Sequence, residues 1–302
     1  MIQFVNAKIN LGLDIVGRRS DGYHLLRTVF YPVGRFSGTP RNPEPFCDIL
    51  ELTQLAADDP DGYEEDGIRF LFGGNPVDCP PEKNLVVKAA RKVMDHFGSA
   101  LTTRAGRLTL RLEKHIPDGA GMGGGSADAT FVMRMLNATA SRHGLTPLTD
   151  DELRDMAVTL GADCPVFVAN RPVYAEGIGD RFEDIPAILE GKWLLVVKPD
   201  LYVSTKEAFA GVTPRQPEFD LRLLATLPLE EWRRYVKNDF EESLFPKYPV
   251  LEELKASLYA HGAEYTSMTG SGAALYGIFA DRAAALRARV AITAPFKAVV
   301  LL

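Results

Sequence analysis

Five glycines in seven residues constrain this chain more than any other feature: Gly119, Gly121, Gly123, Gly124 and Gly125. They stand in Asp118-Gly-Ala-Gly-Met-Gly-Gly-Gly-Ser126, after a stretch in which Leu108, Leu110 and Leu112 alternate with Thr109, Arg111 and Glu113. That alternation is the period of a half-buried strand. Pro117 ends it, and a helix is predicted after the loop, with Ala127, Phe131, Met135 and Leu136 on one face and Gly144 as its C′ residue. Glycines let backbone N–H groups converge on a ligand without Cβ obstruction. A helix starting right after them points its positive dipole end at the same spot. Strand, loop and helix together form a phosphate cradle, and five glycines exceed what a plain strand-to-helix turn needs.

Gly119, Gly121 and Gly124 match G-x-G-x-x-G, but the context opposes a dinucleotide fold. Residues 114–118 separate the strand from the first glycine, and Gly144-Leu145-Thr146-Pro147 stands where a ribose-binding acid would end a strand. No Gly-Lys-Ser/Thr follows the loop, so it is not a Walker A motif. A second glycine turn, Met268-Thr269-Gly270-Ser271-Gly272, lies between two apolar strands. It is either an ordinary hairpin or a second wall of one nucleotide site.

At 302 residues the chain has room for two domains and a core without disulfides. Hydrophobic residues at 46% and charged residues at 25% exclude disordered and fibrous classes. A net charge of −6 argues against a general nucleic-acid or anionic-membrane binder, though not against a small phosphorylated ligand. Cys47, Cys79 and Cys164 form neither a disulfide framework nor a zinc pattern. With no apolar run near a span's ~18 residues and no targeting segment, the expectation is a soluble cytoplasmic protein. Its oligomeric state is not readable.

Along the chain, alternation predicts a strand through Ile2, Phe4, Ile9, Leu11, Leu13 and Ile15, a turn at Arg18–Tyr23 and a strand at His24–Val33. Residues 34–46 and 58–66 read as loops around short strands at Asp48–Leu52 and Ile68–Phe72. Helices are predicted at Asn84–Phe97 and Asp150–Leu160, and strands at Pro165–Val168, Val173–Glu176 and Trp193–Lys198. Further helices are predicted at Thr205–Ala210, Leu229–Lys237, Val250–Tyr259 and Arg282–Ala291. Thr266–Phe279 reads as strand, turn and strand, and Ala298–Leu302 as a closing strand. Strands and helices mixed without strict alternation predict an α+β fold. The pattern changes near residue 165, dividing 1–165, with the glycine loop, from 166–302.

Three separated motifs resemble those of the GHMP small-molecule kinases: Ala7-Lys8-Ile9-Asn10-Leu11, Pro117-x-Gly-Ala-Gly-Met-Gly-Gly-Gly-Ser126, and Met268-Thr-Gly-Ser-Gly272. Four more resemble the branch acting on a cytidine-diphosphate-linked methylerythritol: Arg18-x-Ser-Asp-Gly-Tyr-His24, Gly123-Gly-Gly-Ser-Ala-Asp-Ala129, Leu160-Gly-Ala-Asp-Cys-Pro-Val-Phe167, and Asn238-Asp-Phe240 with Tyr248-Pro249. The resemblance runs from Asn6 to Phe279 in the family's order. Met122 stands for a commoner Leu, Ala127 and Thr269 for commoner serines, and the 34–46 loop is longer than usual. Ala127 can offer no hydroxyl contact.

The resemblance implies a ribosomal-protein-S5-like N-terminal domain that binds ATP and a ferredoxin-like C-terminal domain that contributes to the substrate site. It implies ATP with Mg²⁺ and transfer of the γ-phosphoryl to the 2-hydroxyl of the cytidylyl polyol, a step of non-mevalonate isoprenoid synthesis. Pro117, Gly119, Ala120, Gly121, Met122, Gly123, Gly124, Gly125 and Ser126 map to the ATP phosphates, and Asn84 and Lys88 to the adenosine region. Asp163, in itself compatible with a turn aspartate, maps to the catalytic aspartate, and Lys8 to the catalytic lysine. Paired with Asp163, Lys8 would keep the carboxylate ionised and stabilise a developing alkoxide. Asn10 shares the strand face of Lys8 by period 2 and could fix the acceptor polyol. Tyr23, His24, Thr205 and Phe209 map to the cytidine slot, where an aromatic ring can stack on a base. Ser126 is either a helix-start hydroxyl or a ligand to phosphate or Mg²⁺. No metal ligands are assigned. Rival expectations are another GHMP kinase acting on homoserine or a sugar, a non-catalytic nucleotide binder on the same fold, and a NAD-dependent oxidoreductase. The aromatic slot argues against the first, and Lys8 with Asp163 against the second.

Overall fold

The alternating N-terminal stretch is cut at Asn6 into two strands, β1 (Ile2–Val5) and β2 (Ala7–Arg18). The cut has a side-chain cause. The amides of Asn6 and Asn170 exchange two buried hydrogen bonds, of 3.2 and 2.7 Å, and Asn170 adopts the left-handed conformation at φ 51°. The computed structural model describes residues 1–34, 46–54 and 62–302. The loop expected at 34–46 therefore lies outside the described residues except at its ends, as does the first part of the one at 58–66.

The remaining strands are β3 (His24–Val33), β4 (Asp48–Gln54), β5 (Tyr63–Glu65), β6 (Ile68–Gly74), β7 (Leu108–Lys114), β8 (Val173–Gly177), β9 (Arg181–Asp184), β10 (Trp193–Lys198), β11 (Tyr265–Met268), β12 (Leu275–Phe279) and β13 (Phe296–Leu301). The helices are α1 (Leu85–Phe97), α2 (Ser99–Ala105), α3 (Gly124–Arg142), α4 (Asp150–Val158), α5 (Val166–Ala169), α6 (Thr205–Ala210), α7 (Trp232–Tyr235), α8 (Asp239–Leu244), α9 (Pro249–Ala260) and α10 (Arg282–Ala291). The fold is α+β.

Two expected elements change identity. Residues 165–168 begin a helical turn, α5, because Pro165 sits at φ −61°, ψ −28° and starts it, while Asn170 stops it. The helix expected at 229–237 survives only as a 3₁₀ turn and the short α7. Residues 236–238 are instead drawn alongside β2: Leu13 N–H donates to the Lys237 carbonyl at 2.8 Å, and Leu13 bridges Asn238 in parallel.

Two compact units emerge: Met1–Ala7, Cys47–Asp118 and Gly123–Asn170 in one, and Lys8–Phe46, Gly119–Met122 and Arg171–Leu302 in the other. In the first, a sheet of order β1-β4-β7-β6-β5 has a single parallel pair, β6 with β7. Leu108, Leu110 and Leu112 are buried and Arg111 is exposed, as the alternation predicts. Helix α1 buries Val86, Val87, Ala89, Ala90, Val93 and Met94 and packs on α3, which also packs on β1 and β4.

The second unit has two sheets, β2-β3-β8-β9 and β11-β12-β10-β13. Leu13, Ile15, Leu195, Val197, Leu258, Leu275 and Phe279 share its main core cluster. Asp14 interrupts this apolar run. Its Oδ2 is buried without a hydrogen-bond partner among the described residues, and burial first, then the charge of Asp239, pushes its pKa up to about 7. The native state thus holds a proton that the unfolded chain releases near its ordinary ~3.9, so stability falls as pH rises through about 7. Asp14→Asn is therefore expected to raise Tm at about pH 8.5 and to leave it nearly unchanged at about pH 3.5, read by thermal denaturation at both. An equal shift at both pH values would contradict this.

Candidate active site

The glycine loop uses its glycines unequally. Gly119, Gly121 and Gly123 sit at φ 59°, 70° and 67°, the left-handed region that side chains disfavour. A Cβ on Gly121 would lie 2.1 Å from the Thr269 carbonyl oxygen, so there the two glycine turns meet backbone to backbone. A Cβ on Gly119 would lie 2.6 Å from the Tyr202 ring. Gly124 differs: it is the first residue of α3, and a Cβ there would meet Ile116 Cγ2 at 3.1 Å and Lys114 Nζ at 3.4 Å. Gly123, at the N-cap, supplies no side-chain cap to this 19-residue helix. Its first N–H groups are left for another acceptor, as an anion site requires. Ala120 and Met122 are buried, whereas Gly125 is exposed and Ser126 half-buried.

In the second unit, Lys8 and Asn10 do face the same way. Lys8 is 2% exposed and its Nζ donates to Asn10 Oδ1 at 2.7 Å and to the Gly121 carbonyl at 2.9 Å. Its N–H donates to the Met122 carbonyl at 3.0 Å, so β2 itself carries the first half of the loop. Asn10 Oδ1 also accepts from Gly270 N–H at 2.9 Å, and Thr269 Oγ1 lies within hydrogen-bond reach of Gly121 O. Asn238 fastens the other side of the second turn, donating to the Met268 and Gly270 carbonyls at 2.8 and 2.9 Å. Lysine, the first loop and the second turn thus form one hydrogen-bonded set.

The same unit holds the aromatic residues. Phe209 lies on α6, which Ser204 caps by accepting from Glu207 N–H at 3.1 Å. The ring that stacks on Phe209 is that of His24, with centroids 4.7 Å apart and planes 21° apart. Phe240 meets Phe209 edge-on at 4.9 Å. Burial, then the charge of Arg18, holds the His24 imidazole below its usual pKa, so it is a neutral ring near pH 7. Tyr23 follows the turn and is 61% exposed, and Thr205 is exposed at the start of α6.

In the first unit, Asp163 is half-buried in the turn between α4 and α5. That turn is pinned to the start of α3: Thr130 Oγ1 lies 2.9 Å from the Cys164 carbonyl and 3.0 Å from that of Ser126. Burial pushes the Cys164 thiol up to about 11, opposed in part by its hydrogen bond with Ser126, so it is no nucleophile at neutral pH. Asn84 caps α1, its Oδ1 accepting from Val86 N–H at 2.9 Å, and Lys88 follows one turn later, half-buried. Asn84 also lines a cleft of about 170 Å³ with Phe72, Gly74, Val77, Pro81 and Lys114. Pro117 stands between Ile116 and the loop, half-buried.

Sequence reasoning missed a buried triad beside that cleft. Lys114 Nζ pairs with Asp48 and, at 2.7 Å, with Asp128. Asp48 Oδ1 also accepts from the N–H groups of His115 and Ile116, at 2.6 and 2.8 Å, and so holds the backbone leading to the loop. Two carboxylates share one ammonium, an excess of negative charge in a dry place. Asp48 is the better hydrogen-bonded of the two, with two backbone N–H groups donating to it besides the ammonium. Asp128 Oδ1 is buried without a partner among the described residues, and burial pushes its carboxyl up to about 7. Lys114 keeps its proton: burial opposes the charge, but Asp128 and Asp48 hold it above the usual lysine value. The signal was present as a lysine in an otherwise inward-facing register of β7, but its partners lie 66 and 14 residues away.

Among the described residues no group of three or more His, Cys, Asp or Glu could hold a metal ion, and no helix is long and apolar enough to cross a membrane. Residues 84–171 match the GHMP kinases N terminal domain, and residues 218–298 the GHMP kinases C terminal domain. The 4-diphosphocytidyl-2-C-methyl-D-erythritol kinase of Bacteroides thetaiotaomicron is 44% identical over 280 residues, 92% of each chain, and that of Porphyromonas gingivalis is 41% identical over 93% of each. A crystal structure of 4-(cytidine 5'-diphospho)-2C-methyl-D-erythritol kinase superposes over 100% of both chains at a TM-score of 0.74 and 27% identity. The Methanococcus jannaschii mevalonate kinase, at 12% identity and a TM-score of 0.66 over 100% of this chain and 98% of its own, shares the fold. With its glycine loop, its lysine-bearing strand and both domains matched, the chain belongs to the GHMP kinases, in the family of 4-diphosphocytidyl-2-C-methyl-D-erythritol kinases.

Proposed function

We propose that this kinase transfers the γ-phosphoryl of ATP to the 2-hydroxyl of 4-diphosphocytidyl-2-C-methyl-D-erythritol, in the non-mevalonate route to isoprenoids. The observation that carries the reading is Lys8 held at 2.9 Å from the glycine loop's own carbonyl, at Gly121, with the uncapped start of α3 following three residues later in the chain. Phosphoryl transfer asks the protein for positioning and charge stabilisation more than covalent chemistry. Residues 117–126 cradle the phosphates, and Asn84 and Lys88 border the adenosine beside the cleft that Asn84 lines. Lys8 neutralises charge on the transferring phosphoryl group. Asp163 accepts the proton of the attacking hydroxyl, and Asn10 borders the acceptor.

Mg²⁺ would enter with the ATP phosphates, where it neutralises their charge. Ser126 is the hydroxyl offered to it at the start of α3. The functional division we propose is 1–165 for ATP and catalysis and 166–302 contributing to the substrate site. The substrate is a small molecule, and we place the enzyme in the cytoplasm.

The cytosine is proposed to stack between Tyr23 and Phe209, with Thr205 closing the slot. His24 covers Phe209 at 4.7 Å, so the arriving base takes the place of the imidazole. Tyr23→Ala and Phe209→Ala are each expected to weaken the cytidylyl substrate by about 1–3 kcal/mol while leaving the KM for ATP within about twofold, in steady-state assays varying each substrate. The reading fails if free methylerythritol is phosphorylated as efficiently as the cytidylyl form.

A further inference from the structure

Thr28, on β3, is completely buried and has the chemistry of a switch fixed in one position. Its hydroxyl hydrogen is committed: Oγ1 donates to the Gly12 carbonyl at 2.5 Å. Having spent its only hydrogen, Oγ1 can only accept, and it accepts from Asn10 Nδ2 at 2.9 Å. That settles which way the Asn10 amide faces. Its Oδ1 turns to three donors: Lys8 Nζ at 2.7 Å, Gly270 N–H at 2.9 Å and Thr269 Oγ1 at 3.3 Å. A reversed amide would put its NH₂ against an ammonium and a peptide N–H, two groups that can only donate. Asn10 is itself anchored by Tyr276, whose Oη donates to the Asn10 carbonyl at 2.8 Å.

We propose that Thr28 is a positioning residue of the phosphotransfer reaction. It locks the Asn10 amide so that one oxygen sets both the Lys8 ammonium and the second glycine turn. The chain of dependence runs Gly12 O, Thr28 Oγ1, Asn10 amide, then Lys8 Nζ and Gly270 N. Without the hydroxyl, the Asn10 NH₂ is buried with one acceptor fewer, and the amide gains a reason to rotate away from Lys8. The inference rests on the reading of Lys8 as acting on the transferring group.

Thr28→Val keeps the shape and deletes the hydroxyl. It is expected to lower kcat about tenfold, with both KM values within about twofold, while Thr28→Ser restores turnover. Because Thr28 acts through Asn10, the Thr28→Val/Asn10→Ala double variant should be no slower than Asn10→Ala alone. Amide hydrogen exchange at Gly270 gives a readout independent of turnover: faster than wild type in Thr28→Val, protected in Thr28→Ser. Thr28→Ala carries the same tests if the valine variant does not fold. A failure of the phosphotransfer reading would show as a wild-type enzyme inactive on the cytidylyl polyol, and Gly270 exchange would still judge the lock. A folded hydroxyl-free variant with kcat within about twofold of wild type and unchanged Gly270 exchange overturns the proposal, as do multiplicative losses in the double variant.

Discussion

Asp163→Asn is expected to lower kcat by about 10²–10⁴-fold, with KM for ATP and for the cytidylyl substrate little changed. An amide fills the space of a carboxylate but cannot take a proton, so this substitution separates shape from basicity. Other groups also hold the turn around Asp163: Thr130 fixes the Cys164 carbonyl at 2.9 Å, and Gly161 N–H donates to Ala157 O at 3.3 Å. Asparagine suits such turns as well as aspartate does, so a purely structural Asp163 would tolerate the change. Lys8→Met is expected to depress kcat similarly, since it removes the buried charge that spans Asn10 and Gly121. The double variant should lose much less than the product of the two, because groups serving one transition state are not additive. Steady-state kinetics on folded variants decide it, and near wild-type turnover in Asp163→Asn would remove the carboxylate from the chemistry.

The second large effect falls on stability. Lys114→Met leaves Asp48 and Asp128 facing each other without their shared ammonium. Removing one partner of a buried ion pair typically costs about 3–5 kcal/mol, and a loss of that order is expected in urea denaturation near neutral pH. The loss should shrink toward acid pH. The Asp128 carboxyl is already raised to about 7, so its native pKa exceeds that of the unfolded chain, and its ionisation cost appears as pH rises and vanishes as it protonates. Asp48→Asn should be milder, because an amide oxygen can still accept from His115 and Ile116 N–H. A Lys114→Met protein as stable as wild type at about pH 8 would mean the triad contributes nothing.

What could be read without coordinates was whatever is local and periodic. The alternation of Leu108, Leu110 and Leu112 defines β7, and α6 and α10 fall where composition places them, because each is decided within a few residues. The glycine loop was legible for the same reason, as was the shared face of Lys8 and Asn10, which period 2 alone dictates. What was hidden depends on distant partners. Nothing near Asn6 announces that Asn170 will cut the strand there, 164 residues away. Asn10 meets Gly270 across 260 residues, and Lys237 gives up its helix to pair with Leu13. Gly124 illustrates a subtler limit. Glycine content marked the loop, but only backbone geometry shows that Gly119, Gly121 and Gly123 carry the left-handed turns while Gly124 already belongs to the helix.

The most direct measurement of the account is turnover by the purified protein with ATP, Mg²⁺ and 4-diphosphocytidyl-2-C-methyl-D-erythritol, the product read by phosphorus NMR. A new phosphomonoester on the 2-hydroxyl carbon, formed stoichiometrically with ADP and absent in Lys8→Met, is the predicted result. Homoserine, galactose and free methylerythritol in parallel should give no comparable turnover. Equal phosphorylation of one of those acceptors, or ADP release without a phosphomonoester on the cytidylyl polyol, would contradict it.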